Sequence, residues 1–254
     1  MKYTKLGTSD LNVSRIVLGC MRIADKPLER TERLLEAAVG AGVNMFDHAD
    51  IYGGGESERL FGLALKNTGI AREKIVVQSK CGIRKGMFDF SKQHILEAAE
   101  GSLKRLGTEY LDALLLHRPD ALMEPDEIFA AFDELYRSGK VRQFGISNFS
   151  VSQTRLLEGG RYPIAANQLQ FSLMHAGMVD EGLNVNMMKG ESVERGGEIL
   201  DYCRLKRITV QAWSPLNFGM FEGIFVGNER FPELNAKLEE LAEKYACTPA
   251  AIAF

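Results

Sequence analysis

The chain has 254 residues, 45% of them hydrophobic, enough to fill a large interior and to exclude general disorder. Its 31 Lys and Arg against 34 Asp and Glu give a net charge of −3, which leaves no chain-wide basic field for nucleic acid or anionic lipid, so any phosphate contact must be local. No apolar run approaches the roughly 18 residues of a membrane span. Cys20, Cys81, Cys203 and Cys247 stand far apart, with no CxxC pair and no secretory leader behind the polar Met1–Asp10, a pattern that suits reduced thiols and predicts a cytoplasmic protein.

In chain order, Tyr3–Leu6 and Leu11–Ser14 flank the turn-rich Gly7–Asp10 and predict a small hairpin able to plug one end of a barrel. Short β-branched runs then alternate with longer amphipathic stretches. Strands are predicted at Arg15–Gly19, Val43–Asp47, Ile75–Lys80, Ala113–His117, Gln143–Ser147, Ala165–Gln170 and Thr209–Trp213, most of them continuous apolar runs suited to burial on both faces. Helices are predicted at Arg30–Val39 before Gly40 and Gly42, Gln93–Leu106 between Ser91 and Gly107, Asp126–Arg137 before Gly139, Gln153–Leu157 after Ser150, and Leu234–Tyr245. Leu34, Leu35 and Ala38 share one helical face, as do Ile95, Ala99, Leu103 and Leu106, so each helix has an apolar side to lay on a sheet. No linker interrupts the rhythm, and a (β/α)₈ TIM barrel is its natural end-point.

Chemistry in such a barrel gathers where the strands end. Asp47 ends the second predicted strand, Lys80 the third and His117 the fourth, and Tyr52 follows the second in a glycine-rich loop, Gly53–Gly55. Any one of them alone reads as a polar cap on a strand. Four proton-handling side chains on one rim are not needed for folding. A phenol titrates near ~10 and so holds a donatable proton at neutral pH; a neighbouring Lys80 ammonium would draw that pKa down toward working pH, Asp47 would keep the lysine charged, and a neutral His117 would orient a substrate oxygen.

Other conspicuous residues carry less. Asp47-His48-Ala49-Asp50 has the alternation of a metal site, but no second histidine pair supports it, and His48 and Asp50 are read as packing or supporting residues. Gly53–Gly55 lacks the Lys-Ser/Thr of a phosphate loop and is read as flexibility near Tyr52. His94 and His175 read as ordinary surface or core residues, and the long connection Gly177–Gly197 as a loop bordering the substrate.

The runs Phe46-Asp47-His48-Ala49-Asp50-Ile51-Tyr52-Gly53, Ser79-Lys80, Leu115-Leu116-His117-Arg118-Pro119, Gly145-Ile146-Ser147-Asn148-Phe149 and Ala212-Trp213-Ser214-Pro215-Leu216, in this order, resemble the aldo-keto reductases. The closest flavour is that of bacterial members whose fourth strand ends in His-Arg-Pro-Asp, matched by His117–Asp120. The resemblance implies reduction of a small-molecule aldehyde or ketone with NADPH, NAD being the less favoured cofactor. It makes Asp47, Tyr52, Lys80 and His117 the catalytic tetrad, with Tyr52 giving its proton to the carbonyl oxygen. It implies that Ser147, Asn148 and Gln168 hydrogen-bond the carboxamide and that Trp213 stacks on the nicotinamide. Ser214, Pro215, Leu216 and Asn217 would face the pyrophosphate, and Gly19, Met21 and Arg22, with Asp47, would line the cofactor cleft. Ion-channel regulatory subunits of the same fold, which resemble this chain with Asn in place of His117, supply the alternative: a cofactor-binding module without chemistry. The oligomeric state is open in the pattern.

Thr248 reads as a helix cap and Pro249 as a first helical residue, five residues before Phe254. The resembled family continues to an eighth strand and a clamp for the adenosine 2′-phosphate, so the expectation is a single barrel domain over 1–254 lacking its C-terminal part.

Overall fold

Two short antiparallel strands, β1 (Tyr3–Lys5) and β2 (Asn12–Ser14), open the chain as the predicted hairpin, pairing Tyr3 with Ser14 and Lys5 with Asn12. The structure, a computed structural model, describes residues 1–188, 190–193, 196–219 and 222–254. Positions 189, 194–195 and 220–221, in the predicted loops 177–197 and 218–230, lie outside the described residues. The chain divides into two compact units, Met1–Asn167 with Leu205–Thr209, and Gln168–Arg204 with Val210–Phe254.

In the first unit, β3 (Leu18–Gly19), α1 (Leu28–Gly40), β4 (Met45–Asp47), α2 (Glu56–Thr68) and β5 (Val76–Cys81) follow the hairpin. A small antiparallel ribbon, β6 (Ile83–Arg84) with β7 (Met87–Phe88), leads to α3 (Lys92–Leu106), β8 (Leu111–Leu116), α4 (Pro125–Arg137), β9 (Val141–Ser147) and α5 (Val151–Leu156). Strand β10 (Ile164–Gln170) begins in this unit. The registers β3–β4, β4–β5, β5–β8 and β8–β9 are all parallel. Among the described residues the main sheet has seven strands in the order β11-β10-β9-β8-β5-β4-β3, with β11 at Thr209–Trp213.

The predicted strand 15–19 shortens to Leu18–Gly19 because its start is held by the hairpin: the Arg15 N–H donates to the Lys2 carbonyl, and the Ser14 N–H to Asn44 Oδ1. Caps fall where the sequence puts them. Ser91 accepts from the His94 N–H, Gly107 ends α3 in the left-handed region, and Ser150 with Gln153 forms a reciprocal capping box.

Apolar side chains divide between the two faces of the strands. Phe46, Val77, Leu114 and Ile146 point toward the helices and pack with Phe61, Ile95, Leu103 and Ile128. Met45, Val76, Ala113, Leu115 and Ala165 form a separate cluster on the other face, closed by Leu6 and Val13 of the hairpin, which therefore does plug one end. Gly7 makes this docking possible: it has φ +58°, and a Cβ on it would lie 2.6 Å from the Ala165 carbonyl oxygen. In the second unit, α6 (Gly177–Leu183), α7 (Ile199–Lys206, mostly in this unit), α8 (Pro232–Tyr245) and α9 (Pro249–Ala253) accompany the ends of β10 and β11. Its core is Phe225, Leu238 and Ala253.

At the amino ends of β5, β8 and β9 a buried carboxylate staples three strands. Asp112 Oδ2 accepts from Arg72 (2.8 Å) and from the Val77 N–H (2.9 Å), and Oδ1 from Arg142 (3.0 Å). Both guanidiniums lie over the Tyr110 ring, at 4.1 and 3.9 Å. Removing one member strands the others, so Asp112→Ala should cost about 3–5 kcal/mol, read as a fall in the urea midpoint.

His48 is fully buried between β4 and α2, its ring edge-on to Phe61 at 4.5 Å, with neither ring nitrogen hydrogen-bonded. Burial, helped by Lys80 and opposed by Asp47, lowers its pKa from 6.5 to about 3. The unfolded chain therefore takes up a proton below the ordinary histidine pKa while the folded chain does not. Stability from this group is complete above pH ~6.5 and drains away as pH falls toward 3. His48→Phe should make the loss between pH 7 and 4.5 smaller by roughly 2 kcal/mol in urea titrations; equal slopes for the two proteins would refute the assignment.

Candidate active site

Strand alternation places the site. On β5, Gln78 and Lys80 face inward while Val77, Ser79 and Cys81 face the helices, and on β4 Asp47 stands beside Gln78 in register. Lys80 is wholly buried. Its Nζ has three protons and three acceptors: Asp47 Oδ2 at 2.7 Å, the His48 carbonyl at 2.7 Å and the Tyr52 hydroxyl at 3.1 Å. Gln78 Nε2 donates to the other oxygen of Asp47 at 2.6 Å. His117 follows the last residue of β8, its backbone N–H on the Cys81 carbonyl, and its ring meets Tyr52 edge-on with centroids 5.8 Å apart. The four residues expected on one rim are thus brought together.

Their ionisation departs from expectation at one point. Burial raises the Tyr52 phenol above its ordinary value, and the Lys80 charge opposes this without reversing it. The sequence-based expectation of a phenol drawn down toward neutral pH is corrected: burial costs the phenolate more hydration than one ammonium, already shared with Asp47, returns. For Lys80 burial works against the charge, but Asp47 and Tyr52 outweigh it, and the ammonium is held above its ordinary range. Burial, with the nearby Lys80 and Arg118 charges, lowers His117 from 6.5 to about 3, so its imidazole is neutral at working pH. Its Nδ1 is buried without a hydrogen-bond partner.

Tyr52 opens a 3₁₀ turn, Tyr52–Gly55, in which Gly53, Gly54 and Gly55 all have positive φ (59°, 65° and 92°). The glycines give a specific left-handed path rather than slack. Helix α2 starts at once, at Glu56, and buries Glu58 completely. Glu58 accepts from Ser79 Oγ at 2.5 Å and from Arg105 Nε at 2.7 Å. Sequence reasoning missed α2, Glu58, Arg105 and Gln78; the Glu-x-Glu opening at 56–58 was the available signal for a helix start.

Of the residues expected around a cofactor, Gly19, Met21 and Arg22 are exposed beyond β3, and Gly19 pairs with Asp47 and has open space where a Cβ would stand. Ser147 ends β9, and Asn148, at φ 63°, donates to Ser147 Oγ at 2.7 Å. Asn is the non-glycine residue that enters the left-handed region most readily. In the second unit, Gln168 Nε2 donates to Gln211 Oε1 at 3.1 Å, Trp213 is half-buried at the end of β11, and Ser214 repeats the left-handed pattern at φ 51°. The turn Ser214-Pro215-Leu216-Asn217 closes with the Asn217 N–H on the Ser214 carbonyl at 3.0 Å. Taken unit by unit, the hydroxyl and amide groups at and just after the end of β9, and separately the amide and aromatic groups at the ends of β10 and β11, are of the chemical kinds that meet a carboxamide or stack on a ring.

Residues 15–254 match the aldo/keto reductase family. Among individual proteins, the uncharacterized oxidoreductase YcsN of Bacillus subtilis is 40% identical over 223 residues, covering 83% of this chain and 69% of its own. The 6-dehydroglucose reductase of Agrobacterium fabrum is 34% identical over 238 residues, covering 88% and 75%. The crystal structure of the thermostable aldo-keto reductase Tm1743 in complex with the inhibitor epalrestat superposes with a TM-score of 0.76 at 28% identity, over 100% of this chain and 84% of that one. The fold is that of the (β/α)₈ barrel, and the chain belongs to the aldo/keto reductase family of NAD(P)H-dependent oxidoreductases that reduce carbonyl compounds.

Proposed function

We propose that the chain reduces aldehydes or ketones to alcohols with NADPH, and that Tyr52 is the general acid. The observation that carries this reading is the Lys80 ammonium, buried and shared between Asp47 and the Tyr52 hydroxyl at 2.7 and 3.1 Å. Because Lys80 donates to the phenol oxygen, the phenol's own proton must point elsewhere, and among the described residues none accepts it. That proton is available to a carbonyl oxygen.

The cofactor, when bound, supplies the hydride. By family resemblance, Ser147, Asn148 and Gln168 hold its carboxamide, Trp213 stacks on its ring, Ser214 through Asn217 face its pyrophosphate, and Gly19, Met21 and Arg22 border it. Tyr52 protonates the oxygen as negative charge develops there, and the adjacent ammonium stabilises the phenolate left behind. Neutral His117 orients the same oxygen. With Nδ1 buried and unpartnered, leaving a lone pair there costs less than stranding an N–H, which puts the imidazole proton on Nε2. The reading of a silent binding module is disfavoured by His117, since orienting a carbonyl oxygen is the use for a neutral imidazole beside the phenol.

Tyr52→Phe should lower kcat for a generic aldehyde by about 10³-fold or more while leaving NADPH affinity within about two-fold, read as quenching of Trp213, the sole tryptophan. Equal loss of binding and turnover would make Tyr52 a structural residue. Because the phenol is raised, reduction by the wild type should stay level through neutral pH and fall only on the alkaline side.

A further inference from the structure

Tyr52 opens a turn of three left-handed glycines, and the single hydrogen bond from Lys80 to its hydroxyl, at 3.1 Å, does not by itself hold that turn against β5. A second charged group, on the helix-facing side of the sheet, supplies the missing restraint. Glu58 is the third residue of α2, directly beyond the turn, and its carboxylate reaches two places. Oε1 accepts from Ser79, the neighbour of Lys80 on β5 (2.5 Å), and Oε2 from Arg105 near the end of α3 (2.7 Å).

Arg105 in turn lies on the turn itself. A Cβ on Gly55 would stand 2.7 Å from Arg105 Cδ and 2.9 Å from its Nε, so that glycine is the floor on which the side chain rests. A Cβ on Gly62 would lie 2.4 Å from the Leu106 carbonyl oxygen, so α2 and α3 touch backbone to backbone at the same place. The contacts close a ring: Tyr52, its glycine turn, Arg105, Glu58, Ser79, Lys80, and back to the Tyr52 hydroxyl.

A buried ion pair and a well-packed apolar pair can contribute similarly to stability, but only the carboxylate takes a hydrogen bond from β5 and another from α3 at once. We infer that Glu58 and Arg105 are positioning residues for the reduction, fixing the Tyr52 hydroxyl against Lys80 by tying the glycine turn to β5 from behind. The inference rests on Tyr52 being the acid. Asp50, whose N–H donates to the Lys80 carbonyl at 3.0 Å, lies in the same cluster with a buried, unpartnered Oδ1, and the Glu58 charge helps to raise its carboxyl to about 7, behind burial as the main cause.

The test uses Glu58→Gln, which keeps shape and removes charge, Arg105→Met, the double variant, and Ser79→Ala, which deletes one hydroxyl. Turnover is normalised to sites that bind NADPH. Misplacement of the acid by a fraction of an ångström should lower kcat about 10- to 100-fold in each charge variant, and several-fold in Ser79→Ala, with KM and NADPH affinity within about two-fold. The double variant should lose little more than either single one. The alkaline limb of the kcat profile should move to higher pH as Lys80 loosens its hold on the phenol. Wild-type kcat per site with only a lower unfolding midpoint would overturn the inference, and if the charge variants fail to fold, wild-type kcat in Ser79→Ala would do so alone. Tyr52→Phe run alongside separates the two readings. If it keeps turnover, both fall; if it is inactive while Glu58→Gln matches the wild type, only the positioning role falls.

Discussion

One buried ammonium sets the terms for the rest of the first unit. Taking Lys80 out of water costs several kcal/mol unless each of its protons finds an acceptor, and each does, in Asp47, the His48 carbonyl and Tyr52. This fixes where β4 must end, since Asp47 and the His48 carbonyl have to arrive together beside Lys80. It fixes the turn that follows, because the chain must double back within four residues to deliver Tyr52. It also fixes the interior neighbour: Asp47 is fully used only because Gln78, opposite in register, donates to its second oxygen.

The strands carry stability and chemistry at opposite ends. At the amino ends of β5, β8 and β9, Asp112 joins Arg72, Arg142 and a backbone N–H into a closed staple with no open valence for a ligand. At the carboxyl ends the groups are left incompletely used: among the described residues the buried Nδ1 of His117 has no hydrogen-bond partner, and the Tyr52 hydroxyl is met only by Lys80. The division follows from the fold, in which the loops after the strands are free to vary while the opposite rim is closed by the hairpin.

This asymmetry also explains what the sequence disclosed. Strands were legible because Val43–Asp47, Ala113–His117 and their like are continuous apolar runs, α3 because its apolar face sits between the Ser91 cap and Gly107, and α4 because its apolar face runs up to a glycine, Gly139. Helix α2 was hidden for a physical reason. Three glycines precede it, Gly62 interrupts it to admit α3, and its buried face carries Ser57 and Glu58 beside Leu60, Phe61 and Ala64, so the apolar period breaks where a charged residue turns inward. The tetrad was legible as residue types at strand ends, whereas Gln78 and Arg105 were not, because nothing in a sequence says which glutamine or arginine a carboxylate will meet. The phenol's shift was misjudged from the same cause: a neighbouring charge can be guessed from a motif, but the depth of burial that opposes it is a property of the packed chain.

The resulting pattern of charge suits donation to an oxygen better than abstraction from one. Burial keeps both Tyr52 and His117 in their neutral, proton-bearing forms, beside the mutually paired Lys80 and Asp47 and the nearby Arg118. On the proposed reading the site therefore presents two neutral donors beside an ion pair whose charges compensate each other. If Tyr52 is the acid, as proposed, the ammonium behind the phenol is already in contact to stabilise the phenolate that forms as the proton leaves. Reduction would start from this neutral phenol, whereas oxidation would start from the phenolate, the form that burial disfavours. The raised phenol and the depressed imidazole thus share one cause, burial at the strand ends, which holds both groups in the protonation state that the proposed reduction would begin from.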